Sequence, residues 1–375
     1  MITLAIMAML TVIAVMALNR STTDVDLSYN QLHGDQAFYT AEAGIERALF
    51  VRQEDRSWDS GFVDEPLGRG FYSVKVIDSL TIPALFDTVI FRARGVIDQS
   101  EANIEAWVVP EKLHPFEWAM FGDTIVTMSN SSCTDSYNSD SGSYGSTLDH
   151  ELATVGSNDS LLLDHIASVG GDAISAIEGG VVIDNQALVQ GDTITGVEPR
   201  ETDIIDVWEY TWAEENSIAE TGISGNYDYD PTDFSLTVGA LESAVLSSGV
   251  YYFSDITLEQ NGSIELAPGA EVIIYMTGDL TLRNFSAFNS LGDPPQLLIY
   301  SSGSLLSLGN STELTAAFYG PDAEFILDNY TDFFGSVVAG TIDFRNNVCF
   351  HYDRALTQIE KGETGKLIVV AWREL

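Results

Sequence analysis

The sequence predicts an α+β chain: a long N-terminal α-helix, a small antiparallel β-meander, then a parallel β-helix (solenoid) domain. Three observations predict it. Residues 1–18, "MITLAIMAMLTVIAVMAL", hold no charge, glycine or proline, and a second helical pattern follows directly. Two stretches after that alternate polar and apolar residues. Finally, a phrase of the form apolar, any, apolar, any, asparagine occurs six times, as "VTMSN", "VVIDN", "LTLRN", "LSLGN", "FILDN" and "IDFRN".

Composition narrows the class before any element is placed. The chain has 375 residues, with 16 Lys and Arg against 56 Asp and Glu, a net charge of −40. Nucleic acid and anionic membrane surfaces are poor partners for such a charge, because both select cations. A hydrophobic content of 45% excludes a disordered chain. Residues 1–53 form the helical segment, 54–112 the meander and 113–375 the β-helix domain, with an acidic excursion at 198–249.

The helix comes first. At 1.5 Å per residue, residues 1–18 span about 27 Å, close to the thickness of a bilayer core. No Lys or Arg precedes them, so a membrane-inserted helix is expected rather than a signal peptide. The pattern continues through Gln53, with Gly34 in the middle and Leu27, Leu32, Phe38, Ala41, Ile45, Ala48 and Leu49 at intervals that suit one face. One helix of about 80 Å results. An apolar first third makes sense in a membrane at one time and in a bundle of identical helices at another. The residues expected to carry that assembly are Leu4, Ile6, Leu10, Ile13, Leu18, Phe38, Ile45 and Leu49.

The meander is read as strands over 71–77, 89–95 and 102–109. These strands are placed to cover the amphipathic part of the helix.

The asparagine phrases carry the third region. The later asparagines, Asn284, Asn310, Asn329 and Asn346, are 26, 19 and 17 residues apart. "VYYF", "VIIYM", "LLIY", "AAFYG" and "SVVAG" recur in phase with them. Periods near 20 residues mark a solenoid, and short strands with Gly and Asn at the corners suggest a parallel β-helix. The expected task of Asn130, Asn185, Asn284, Asn310, Asn329 and Asn346 is twofold: to tolerate a left-handed corner, and to bond amide to amide in a ladder. His165 stands where an asparagine would in "LLLDH". Residues 236–249, "LTVGALESAVLSSG", read as a short helix within the excursion.

A family resemblance rests on particular phrases. "RSTT" at 20–23 followed by "QAFYTAEAGIERAL" at 36–49 resembles the PilX-type branch of type IV pilin-like proteins. Two departures stand out. Ala5 occupies the place of the glutamate that pilins carry near their start, and no glycine-ended leader is in the sequence. "TDSYNSDSGSYG" at 134–145, "FHYDRAL" at 350–356 and "AWREL" at 371–375 resemble a β-helical domain joined to such N-termini in pilus-assembly proteins. The resemblance implies a pilin that self-assembles through its N-terminal helix into an extracellular filament. Its partners would be copies of itself and the inner-membrane assembly machinery, with membrane anchoring before assembly.

Candidate chemistry is sparse. His351 and Asp353 could act as a base and its orienter, or as a hydrogen-bonded cap on the last coil. His33, His114 and His150 are scattered, and Arg283, Arg345 and Arg354 are the main cations of the coils. Asp228, Asp230 and Asp233 are spaced like part of a calcium loop but lack its Gly and Glu, so calcium has no assigned site and no cofactor is expected. Cys133 and Cys349 form either one disulfide, in an exported protein, or two unpaired core residues. N-x-S/T sequons fall at Asn130, Asn158, Asn261, Asn284, Asn310 and Asn329, as Asn/Ser/Thr-rich turns readily produce. The expected role is therefore structural and not enzymatic. Three rivals are a tip-located minor pilin or adhesin, a membrane-tethered enzyme acting on polysaccharide, and a cytoskeletal polymer.

Overall fold

A computed structural model describes all residues except 1, 56–57, 79–87, 113, 203–204, 206 and 361–362, and gives backbone alone at 2–5, 8, 26, 111–112 and 363–366. The chain is α+β and divides into two compact units, Met1–Leu113 with Gly362–Leu375, and His114–Lys361.

The first unit is one helix on one sheet. Helix α1 (Ile2–Glu54) runs unbroken for 53 residues. Strands β1 (Phe62–Leu67), β2 (Gly70–Ile77), β3 (Val89–Ile97) and β4 (Ser100–Lys112) form an antiparallel meander. The fifth strand is the C-terminal segment Glu363–Glu374, antiparallel to β4. This corrects the boundary drawn from sequence, which left the tail in the repeat region. Arg373 explains the docking: its guanidinium lies 2.7 Å from the fully buried carboxylate of Glu105 on β4.

Helix and sheet meet through small residues. Ala37, Ala41, Ala48 and Ile45 are fully buried. A Cβ on Gly95 of β3 would fall 2.1 Å from the Ala37 carbonyl oxygen, and one on Gly44 would fall 2.7 Å from the Tyr72 ring. The "AEAG" phrase is therefore the sequence of a helix face lying unusually close to a strand. Val74, Phe91, Ile104, Ala106 and Val108 fill the layer beneath it.

The second unit is built of short strands that repeat. Gly249–Phe253, Ile256–Leu258 and Ser263–Leu266 pair in parallel with Val272–Met276, Leu280–Leu282 and Ala287–Phe288. Those in turn pair in parallel with Leu297–Ser301, Leu305–Leu308 and the start of Glu313–Leu327. The asparagine phrases occupy one position in this repeat. Their two apolar residues form in-register columns: Leu280 and Leu282, Leu306 and Leu308, Phe325 and Leu327, Ile342 and Phe344, Val126 and Met128. All ten are buried.

The path of the chain is not sequential along the stack. It enters in the middle with β5 (Met120–Met128) and β6 (Cys133–Tyr137) and builds outward to Thr193–Thr195. It then leaves through residues 196–222 and resumes at the opposite end, where Ile223–Gly225 and Asp228–Asp230 pair antiparallel with neighbouring strands. Winding back, it brings Asp332–Phe344 against β5 and Cys349–Asp353 against β6, both parallel. The first and last turns of the unit are thus neighbours. The helix expected at 236–249 is instead Ser235–Val238, Ser243–Leu246 and the start of Gly249–Phe253. Leu236, Val238, Ala244 and Leu246 alternate inward with period two, which the helical reading overlooked. The true excursion carries one longer helix, Val207–Asn216.

Candidate functional site

The apolar start of α1 is uncovered. Every described side chain from Ile6 to Leu32 is exposed. Ile6, Leu10, Ile13 and Leu18 stand 53%, 59%, 52% and 65% exposed. Leu4 lies outside the residues whose side chains are described. The other three expected assembly residues belong elsewhere: Ile45 is buried in the helix–sheet core, with Phe38 and Leu49 packed against it. A single helix pattern had concealed two faces, one used within the chain and one left free. Among the described residues no helix is long and apolar enough to cross a membrane. The insertion expected for residues 1–18 therefore has no support there, and residues 1–5 and 8 lie outside the side chains described.

The asparagine corner is a second continuous feature. Asn310 Nδ2 donates to Asn284 Oδ1 at 3.3 Å, Asn329 to Asn310 at 2.5 Å, and Asn346 to Asn329. Asn185 bonds Asp164 instead, and the Asn130 amide reaches the Ser129 hydroxyl. The left-handed residue is the expected asparagine in two of the six phrases and not in the other four. Asn130 and Asn185 have φ of 50° and 45°, but in the later coils the left-handed positions are Phe285, Ser311, Tyr330 and Asn347, each one residue on. That residue's N–H donates to the asparagine carbonyl of the adjoining coil. The series runs Phe285 to Asn310, Ser311 to Asn329, Tyr330 to Asn346 and Asn347 to Asn130. His165 takes part through its carbonyl, accepting from Ser131, while its ring bonds Asp164. The third sequon residue is structural as well: Ser286 and Thr312 are buried and donate back to the Arg283 and Gly309 carbonyls.

The seam between first and last turns gathers the remaining polar groups. Cys133 and Cys349 form a disulfide there across 216 residues of sequence. Two residues along on the same strands, His351 Nδ1 lies 2.8 Å from Asp135 Oδ1, and its Nε2 lies 3.7 Å from Asp332. The Tyr144 hydroxyl donates to the other Asp135 oxygen at 2.7 Å, and the Phe334 ring stacks on the imidazole at 4.5 Å. Burial pulls the His351 pKa down, but the hydrogen bonds of Asp135 and then Asp332 outweigh it and hold it above the ordinary value. Asp353 is not the partner of His351. It accepts from the Ser139 N–H and hydroxyl and from the Ala355 N–H, and burial raises its pKa. The base-and-orienter pairing of His351 with Asp353 is thereby corrected in favour of the hydrogen-bonded alternative: the carboxylates beside His351 come from neighbouring strands, and Asp353 caps the turn that follows it.

The calcium-like aspartates do not converge. Asp230 and Asp233 each accept from the residue two positions on, Thr232 and Ser235, closing local turns. Among the described residues no group of three or more His, Cys, Asp or Glu is placed to hold a metal.

One feature escaped the sequence reading. Tyr252, Tyr275, Tyr300 and Tyr319 are in register on successive strands and face outward. The buried Tyr210 of the lateral helix packs edge-on against Tyr275 at 5.9 Å. The repeated tyrosine in "VYYF", "VIIYM", "LLIY" and "AAFYG" was the available signal that this outer face is covered.

Residues 215–359 match a family described as a domain of unknown function (DUF7305). No curated protein matches the chain by sequence. Among solved structures it is similar to the competence-associated pilin ComZ from Thermus thermophilus, at 12% identity and a TM-score of 0.33, covering 92% of this chain and 98% of that one. It is also similar to an ice-binding protein from the Antarctic ascomycete Antarctomyces psychrotrophicus, at 9% identity and a TM-score of 0.26, covering 64% of this chain and 98% of that one. Both TM-scores are too low to establish a shared fold.

Proposed function

We propose that the chain is a structural, non-enzymatic pilin-type subunit of the PilX-type branch, which assembles with copies of itself through the first third of α1. The observation that carries this reading is the exposed apolar run from Ile6 to Leu18, continuous with a helix whose later part is docked on its own sheet. Exposed Ile, Leu, Val and Met on all sides of a helix need a partner, since burying them yields roughly 25 cal/mol per Å². Identical helices packed side by side supply one, and a lipid bilayer supplies the other before assembly. The second unit, read as a parallel β-helix from its three-strand repeat, would be displayed at the filament surface.

Its charge fits that placement. His114–Lys361 holds five Lys and Arg against 38 Asp and Glu, a net −33, whereas the remainder carries −7. Such units are best kept apart at a filament's periphery, in water. The test is Leu10→Asp in the full chain, followed by electron microscopy of cell-surface shear fractions. Filaments should disappear while the second unit stays folded, as judged by intact disulfide formation. Normal filaments in that variant would sink the proposal.

A further inference from the structure

Four bulky apolar side chains stand where the backbone accepts them least. At the asparagine corner Leu241, Phe285, Tyr330 and Ile166 have φ of 63°, 61°, 57° and 64°. L residues meet steric conflict in this region; asparagine and glycine tolerate it best, and bulky or β-branched residues there are genuine outliers. Burial does not compensate, because the four are 81%, 56%, 65% and 60% exposed. Outliers of this kind concentrate at functional positions.

The four also fall on one line. The corner hydrogen bonds, from Leu241 to Gln260 through Ile166 to Asn185, are 2.9–3.2 Å throughout. Adjacent coils are therefore one strand spacing apart, about 4.8 Å. Leu241, Phe285 and Tyr330 take alternate coils, about 10 Å from one to the next, with Asn261 and Ser311 between them. Beside this ridge, Asn310, Asn329 and Asn346 each spend one amide N–H on the ladder and keep a second. The flank holds two of the unit's few cations: Arg283 pairs with Glu259 at 3.3 Å, and Arg345 with Asp328 at 2.6 Å and Asp343 at 3.4 Å.

We propose that this ridge binds a neutral β-1,4-linked polysaccharide. Two successive pyranose rings of such a chain extend about as far as two coil spacings, so its repeat matches the ridge along its length. Aromatic and aliphatic side chains pack on the apolar faces of sugar rings, and the amide N–H groups meet their hydroxyls. A polyanionic glycan is repelled by the net −33 of the unit. A second copy docked ridge to ridge would bring two such units together, which the same repulsion opposes. The proposal does not depend on filament assembly.

The test compares the full-length protein with a Phe285→Asn, Tyr330→Asn double variant for retention on insoluble cellulose and chitin, with polygalacturonate as the anionic control. Asparagine suits left-handed backbone, so the variant should melt no lower than the parent. The parent should bind at least one neutral polymer, ignore polygalacturonate, and lose at least tenfold in partition coefficient on substitution. No binding by the parent, equal binding by the variant, or preference for polygalacturonate would each overturn the proposal. So would a parent that binds no polymer but loses concentration-dependent self-association on substitution, which would assign the ridge to a second copy.

Discussion

His351 shows how one side chain's role depends on what the fold brings beside it. In the sequence it is two residues from Asp353; in the fold its ring meets Asp135 and Asp332, and Asp353 caps the turn that follows. When protonated, the imidazolium ties the last coil to the first through Asp135. Because the folded pKa lies above the unfolded value of about 6.5, this contribution is fully present below about pH 6.5. It is lost as pH rises through the folded value. Thermal melts at pH 6 and pH 8 should therefore show a drop in the parent that is smaller in His351→Gln; identical drops would mean the clasp contributes nothing. The asparagines were more legible than this histidine, since their spacing alone marks a recurrent corner. Which residue is left-handed was not legible. The carbonyl-to-amide bond between coils assigns it, and that bond joins residues 16 to 25 positions apart in the later coils.

At the scale of elements, α1 divides by partner rather than by secondary structure. The exposed run and the docked run are one helix because nothing between them breaks it, Gly34 included. The docked part is fixed by close approach, and Gly95 is the tightest point. Replacing Gly95 with Ala forces the helix off the strand and should cost about 1–3 kcal/mol. Urea-dependent amide exchange in β3 and the 37–48 stretch of the helix measures it; unchanged exchange would contradict the packing described. Three of the four meander strands were readable from their alternation; β1, Phe62–Leu67, was not expected, because "FVDEPL" carries acids and a proline and buries little of itself. The fifth strand was not, because a C-terminal segment that crosses to another unit leaves no local sign beyond its own strand pattern. The misread helix at 236–249 arose similarly: "ALESAVL" suits a helix locally, and its neighbours at Ser263–Leu266 and Ile223–Gly225 hold it as a strand.

Over the whole molecule, the repeat was legible and its order was not. Sequence periodicity implies a stack built from one end to the other. The chain instead begins mid-stack and returns to its starting point, joining first and last turns by strand pairing, the asparagine spine and the Cys133–Cys349 bond. Closing so long a loop constrains the unfolded chain by about 5 kcal/mol in the entropic account. Long-range pairing of this kind is entropically costly to close, and a covalent link at the seam offsets part of that cost. The same unit carries most of the net charge, so the proposed assembly of many copies would place the acidic surface outside and the apolar helix inside. Electron cryo-microscopy of filaments sheared from cells producing the protein tests that arrangement most directly. The account predicts this chain repeating along the shaft, with residues 6–18 packed at the axis against other copies and the β-rich unit outside. Shafts that lack the chain, or that hold it with residues 6–18 facing solvent, would contradict it.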